Sequence, residues 1–314
     1  MTDQTPLIPG ADLEKRYNNL GMLDRGLAEI SLKPRWSVYV ATAFAITVAW
    51  IWLSFLSAGS SFYAGSAVLG PGMALFGPIF DQIGAAFADN QLVQTVLTIC
   101  SPQNPSDFGI DLFIASVGMW FFMSLAMMLP SAMPMMRTYG DIADVAAQKG
   151  EKVVSLSVLV AGYLIIWAVF SVLISLVQLA MIWLNIAADP VLPLQGFIAG
   201  LILLFAGAYQ FSALKNACLE KCRNPFSILF GKWTSQTSGV FKLGVEQGLF
   251  CLGCCWALML VMLVVGTMNL AWMAFFTLFA IIEKSGQGKV TSYFSGGILL
   301  LWGGILSLTS IVSF

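Results

Sequence analysis

The sequence predicts an all-α protein: a polytopic bundle of about seven transmembrane helices, with the N-terminus inside and the C-terminus outside. Three observations predict it: the composition, the spacing of the apolar runs and the placement of lysine and arginine. Of 314 residues, 58% are hydrophobic and 10% are charged, against about 25% charged in an ordinary soluble domain. So little polar surface suits lipid as the solvent. The net charge of −1 and the absence of any basic stripe with interleaved aromatics exclude nucleic acid as a partner.

A bilayer core about 30 Å thick takes roughly 20 apolar residues in helical form, because lipid offers the backbone no hydrogen-bond partner. The first such run is Ser37 to Ser57. A second extends from about Leu112 to Met136, with Pro130 and Pro134 bending its last turns. The third, Val153 to about Leu184, is long enough to tilt. A fourth covers about Val191 to Leu214 and a fifth about Gly244 to Met268. Gly266-Thr267-Met268-Asn269 signals a tight turn into a shorter sixth run, Ala271 to Ile282. The seventh is Tyr293 to Phe314.

Lysine and arginine fix the orientation. They occur at Lys15, Arg16, Arg25, Lys33 and Arg35, then at Arg137, Lys149 and Lys152. Lys215, Lys221, Arg223, Lys232 and Lys242 separate the fourth and fifth runs, and Lys284 and Lys289 the last two. All 15 fall on one side of a seven-span arrangement, so the positive-inside rule places residues 1–36 in the cytoplasm as a polar arm. Residues 37–314 form the bundle. Residues 58–110 read as an outer-face loop, and the apolar stretch Phe62 to Asn90, interrupted by Pro71, Pro78 and Asp81, as an interfacial helix within it.

The chain has no histidine, which excludes a Ser-His-Asp triad, a zinc-protease helix and any imidazole metal site. No ionisable side chain falls in the middle of a span; Glu246 and Glu283 lie near cytoplasmic ends, where solvation or ion pairing is the ordinary expectation. What remains for chemistry is sulfur. Five of six cysteines fall in one region: Cys218, Cys222, Cys251, Cys254 and Cys255. Cys218 and Cys222 share a helical face on a segment that continues the fourth span into the cytoplasm until Asn224-Pro225 ends it. Cys251, Cys254 and Cys255 share a face of the fifth. Cys100 stands alone on the outer side. Thiolate sulfur selects Cu(I), zinc or an iron–sulfur cluster, and thioether favours Cu(I). Met127 and Met128 lie at a depth similar to Cys251. Met119, Met123 and Met127 form one line on the second helix, and Cys251, Cys255, Met259 and Met262 another on the fifth. Each methionine line alone is also what ordinary core filling produces.

Four blocks of sequence resemble a bacterial family of integral membrane proteins known only as predicted metal-binding. They are Met119-Trp120 to Met136 with its Ala126-Met127-Met128-Leu129-Pro130-Ser131-Ala132 core, Tyr209-Gln210 to Pro225, Cys251 to Met259, and Gly266 to Met273 followed by Glu283-Lys284. The resemblance covers about residues 112–285. It implies a multi-pass protein of the bacterial inner membrane with a metal site, and no particular reaction.

The expected function is copper handling or assembly rather than catalysis. The metal would be Cu(I), with zinc or iron left open, held by Cys218, Cys222, Cys251, Cys254, Cys255, Met127, Met128 and Met259. The partners would be the lipid bilayer and a copper-dependent protein. Two other functions fit the residues. One is a membrane thiol oxidoreductase using the C-x-x-C pair Cys251 and Cys254. The other is a non-catalytic subunit of a larger membrane complex, packed through Gly296-Gly297 and Gly303-Gly304, although those glycines equally serve packing inside one chain.

Overall fold

The computed structural model describes residues 34–64, 72–73, 76–87, 110–184, 193–286 and 289–312. Residues 1–33 of the N-terminal arm, Cys100 and much of the expected outer-face loop lie outside the described residues. Among the described residues every regular element is an α-helix. They are α1 Pro34–Ala64, α2 Gly77–Phe87, α3 Ile110–Gln148, α4 Leu156–Trp183 and α5 Pro193–Gln210. Then follow α6 Ala213–Arg223, α7 Pro225–Gly231, α8 Thr237–Val265, α9 Leu270–Ser285 and α10 Val290–Val312. The chain divides into two units, Met1–Phe44 and Ala45–Phe314. The described part of the first is the N-terminal stretch of α1. The sulfur site described below lies in the second.

Among the described residues, five stretches are long and apolar enough to cross a membrane: Trp36–Gly59, Leu112–Gln148, Leu156–Met181, Thr237–Val265 and Val290–Val312. A sixth is possible if Gly196–Gln210 and Ala213–Arg223, bent by 61° at their junction, count as one broken span. The segment that carries Cys218 and Cys222 therefore does not continue the fourth span straight on, as its sequence suggests. At the break, Phe211 and Ser212 bond back to Ala208 and Tyr209, and the Ser212 hydroxyl accepts from Lys215 N at 3.1 Å. That serine restarts the helix as an N-cap in a new direction. The sixth predicted run is helix α9, whose 16 residues rise only about 24 Å.

The second run is longer than expected. Helix α3 continues through Pro130 and Pro134 to Gln148, 39 residues in all. Ser131 Oγ donates to the Met128 carbonyl at 2.8 Å and Thr138 Oγ1 to that of Pro134 at 2.8 Å. Both carbonyls keep their helical donors, the Ala132 and Thr138 N–H groups; those the prolines leave without a donor are Ala126 and Pro130, four residues back. The α8–α9 turn forms where predicted: Gly266 takes φ 111°, and the Asn269 side chain caps α9 by accepting from Trp272 N at 3.1 Å. Within the expected outer-face segment the described residues hold α2, whose Phe80 is buried, as is Met73 just before it.

Helix α8 is the centre of the arrangement, touching α4, α5, α6 and α9. Its passage over α4 brings backbone onto backbone. A Cβ at Gly244 would overlap the Leu159 carbonyl, and one at Gly162 would overlap that of Phe241. Helix α10 packs on α5 in the same manner: Gly303 lies against the Gly200 carbonyl, and Gly296 against Gln210 and Phe211. Those two glycines serve packing within the chain, whereas nothing lies within 4 Å of the Gly297 and Gly304 Cβ positions.

Overpacking an interior costs about 1–3 kcal/mol where side chains can yield. Backbone cannot, so Gly244→Ala is expected at or beyond the upper end. Thermal unfolding of the detergent-purified protein should show a clear drop in Tm, whereas the open site Gly304→Ala should leave it nearly unchanged.

Candidate metal centre

The sulfur site is built on the middle of α8. Cys251, Cys254 and Cys255 recur at intervals of three and four residues, so one helical face carries all three, and all are buried. The Cys254 thiol donates to the Cys251 carbonyl at 3.1 Å, and Cys254 Sγ lies 3.2 Å from Cys255 Sγ. Met259, one turn beyond Cys255, is also buried.

Helix α6 lies across this face. Its Cys222 Sγ comes to 3.9 Å from Cys254 Sγ. Its Cys218 Sγ presses on α8 where residue 253 is glycine; a Cβ there would sit 2.6 Å from the sulfur. Tyr209, at the end of α5, donates its hydroxyl to the Gly253 carbonyl and stacks edge-on against Trp256, ring centroids 5.0 Å apart. Cys218 and Cys222 are half-buried, so the sulfurs grade from partly accessible on α6 to enclosed on α8.

The enclosed end is polar. Cys251 Sγ is 3.0 Å from the Tyr163 hydroxyl of α4, which also reaches the Met128 carbonyl of α3 at 3.2 Å. Lys284 Nζ, at the C-terminal end of α9, donates to Cys251 Sγ at 3.0 Å and to Ser131 Oγ at 2.7 Å. An ammonium at this distance is a charge partner for a thiolate. The next residue back, Glu283, is also buried, not solvated. Its carboxylate meets the buried Lys215 Nζ of α6 at 2.9 Å and accepts from Ser292 Oγ at 2.6 Å. Glu246, by contrast, pairs with Lys232 in a partly exposed position.

The eight residues expected from sequence thus divide. Cys222, Cys254 and Cys255 come together through their sulfurs, Cys218 lies on the same α8–α6 contact, and Cys251 meets Tyr163 of α4 and Lys284 of α9. Met128 enters through its carbonyl. Met127 and Met259 are buried in α3 and α8. Among the described residues no group of three or more cysteine, aspartate or glutamate side chains is arranged to hold a metal ion; the sulfurs meet in pairs. Sequence reasoning missed Tyr163, Ser131 and the inward course of Glu283 and Lys284. The adjacent Glu-Lys at the end of an apolar helix was the available signal, since charges beside apolar spans are costly and are kept for a partner.

This arrangement lies within the stretch matched by a sequence-family model described as PpoB2, a copper chaperone, which covers residues 117–306. The match spans more than half of the chain, and the protein belongs to that family. No curated protein and no solved structure matches the chain.

Thiol reactivity follows access and thiolate character. In a Cys100→Ser background, a small alkylating reagent should therefore modify Cys218 and Cys222 in the folded protein. Cys251, Cys254 and Cys255 should react only after denaturation. Mass spectrometry of labelled peptides reads the order directly.

Proposed function

We propose that this chain is a multi-pass membrane copper chaperone that carries Cu(I) on the sulfur pair Cys222 and Cys254. Cys255, Cys251 and Cys218 form the surrounding soft donor set. The single observation that supports this best is the approach of Cys222 and Cys254 to 3.9 Å from two different helices. Two thiolates at a tetrahedral angle around an ion about 2.3 Å from each are about 3.8 Å apart. The separation therefore suits two sulfurs sharing one small soft cation. A chain without histidine leaves sulfur as its soft ligand, which suits Cu(I). The copper-chaperone family model over residues 117–306 supports the same cargo.

The gradient of access gives the pair a handling role. A chaperone must accept and release its ion by ligand exchange, which needs at least one ligand within a partner's reach. Half-buried Cys222 supplies it, while Cys254 and its neighbours shield the ion from water. The partner is a protein that presents or requires Cu(I). The placement of all lysines and arginines on one side of seven passes supports a cytoplasmic N-terminus and puts the sulfur site towards the cytoplasmic side of a bacterial inner membrane. In this reading α9 is the short sixth pass, and α5 with α6 a broken fourth. The buried Cys251 and Cys254 are poor candidates for disulfide exchange with another protein, because neither sulfur is exposed.

Buffered Cu(I) titrated into the reduced, detergent-purified full-length protein should bind tightly. Loss of an outer partner of a metal ligand typically costs about 10–100-fold in affinity, so Cys222→Ser or Cys254→Ser should each cost at least as much. Unchanged affinity in both variants, or failure of the unaltered protein to bind Cu(I), contradicts the proposal.

A further inference from the structure

The helix that brings Cys222 to the site has little to hold it there by itself. Helix α6 has 11 residues, below the length at which an isolated helix is stable in water. It is cut from α5 by the 61° bend and from α7 by Asn224-Pro225. Its position must come from contacts with other helices, and two of those contacts converge on one residue.

Lys215, in the first turn of α6, is buried and meets the Glu283 carboxylate at 2.9 Å and 3.1 Å. Arg223, the last residue of α6, grips the main-chain carbonyl of the same residue, with Nε at 2.9 Å and Nη2 at 2.7 Å. Lys215, Cys218 and Cys222 follow at i, i+3 and i+7, so the clamped face is the face that carries sulfur. Glu283 is itself held from α10 by Ser292. Its neighbour Lys284 reaches the other way, to Cys251 on α8. One dipeptide at the end of α9 thereby ties the sulfur helix α6 and the sulfur helix α8 into a common register.

We propose that Glu283 is the positioning residue of the sulfur site: through Lys215 and Arg223 it holds α6 so that Cys222 stays beside Cys254. The proposal rests on the reading that this pair carries Cu(I), but its geometry can be tested without copper. A buried ion pair replaced by neutral residues of similar volume is often tolerated, whereas removal of one partner leaves an uncompensated charge. The informative variants are therefore the neutral double Lys215→Met/Glu283→Gln and, separately, Arg223→Ala. Glu283→Gln alone is expected to fold less well.

The experiment uses the full chain in detergent with Cys100, Cys218, Cys251 and Cys255 changed to serine. Diamide then oxidises Cys222 and Cys254 to a disulfide, and its rate of formation is measured by mass spectrometry. Losing one or both grips on α6 should slow the cross-link by about tenfold or more, with Arg223→Lys, which keeps a single donor, intermediate between Arg223→Ala and the unaltered residue. Near-UV circular dichroism and Tm identify variants that retain the fold. An unchanged cross-linking rate in the folded double variant and in Arg223→Ala overturns the proposal. A slowed rate supports it, and Cu(I) titration of the same substitutions in the otherwise unaltered chain then separates the two claims. Weaker copper binding upholds both; unchanged copper binding upholds the role of Glu283 and removes Cys222 as a copper ligand.

Discussion

Two charges without solvent contact, Lys215 and Glu283, lie 2.9 Å apart between α6 and α9. Burying each ion alone would cost several kcal/mol, so neither can be left without the other. That requirement constrains the folded chain: α6 cannot lift from α9 without stranding an ammonium and a carboxylate in an apolar interior. Ser292 from α10 completes the carboxylate, and the two bonds from Arg223 repeat the connection at the other end of α6. The proposed role of Glu283 makes the position of the sulfur site depend on how α6 is held against α9.

The rest of the site follows from how closely the helices approach. Helix α8 passes α4 at Gly162 and Gly244 with no room for a side chain, which brings Tyr163 of α4 within reach of Cys251. Gly253 has the same function towards α6, where a side chain would collide with Cys218. Small residues let helices approach closely in an apolar medium. Here each close approach delivers a polar or sulfur group to the same turn of α8. The result is a series of sulfurs running from half-buried Cys218 and Cys222 to enclosed Cys254, Cys255 and Cys251, with Lys284 as counter-charge at the inner end.

Much of this was legible in the sequence. Apolar runs located all seven expected helices to within a few residues at most ends, because lipid-length hydrophobicity is a strong and local signal. The cysteine spacings identified the shared face of α8, and Asn224-Pro225 the end of α6. Three things were not legible. The bend at Ser212 depends on a cap, and Phe211-Ser212 inside an apolar run carries no breaker residue. Helix α3 runs on through Pro130 and Pro134 to Gln148, past the point where hydropathy and the prolines place its end. The sequence leaves Glu283 solvated or ion-paired near a cytoplasmic end; it is ion-paired, to Lys215, but it and Lys284 are buried, and which way a terminal charge faces depends on partners far apart in sequence, Lys215, Ser131 and Cys251. The methionines illustrate the opposite limit. Their burial agrees equally with core packing and with thioether ligation, so the cysteine pair carries the copper reading.

The central claim is that copper is held by sulfur from both α6 and α8. X-ray absorption at the copper K-edge on the reduced, Cu(I)-loaded full-length protein tests it most directly when the unaltered chain is compared with Cys222→Ser. The account predicts a first shell made of sulfur alone, with fewer sulfur scatterers or a replacement oxygen in the variant. A first shell dominated by oxygen or nitrogen, or an identical sulfur shell in both proteins, would contradict it.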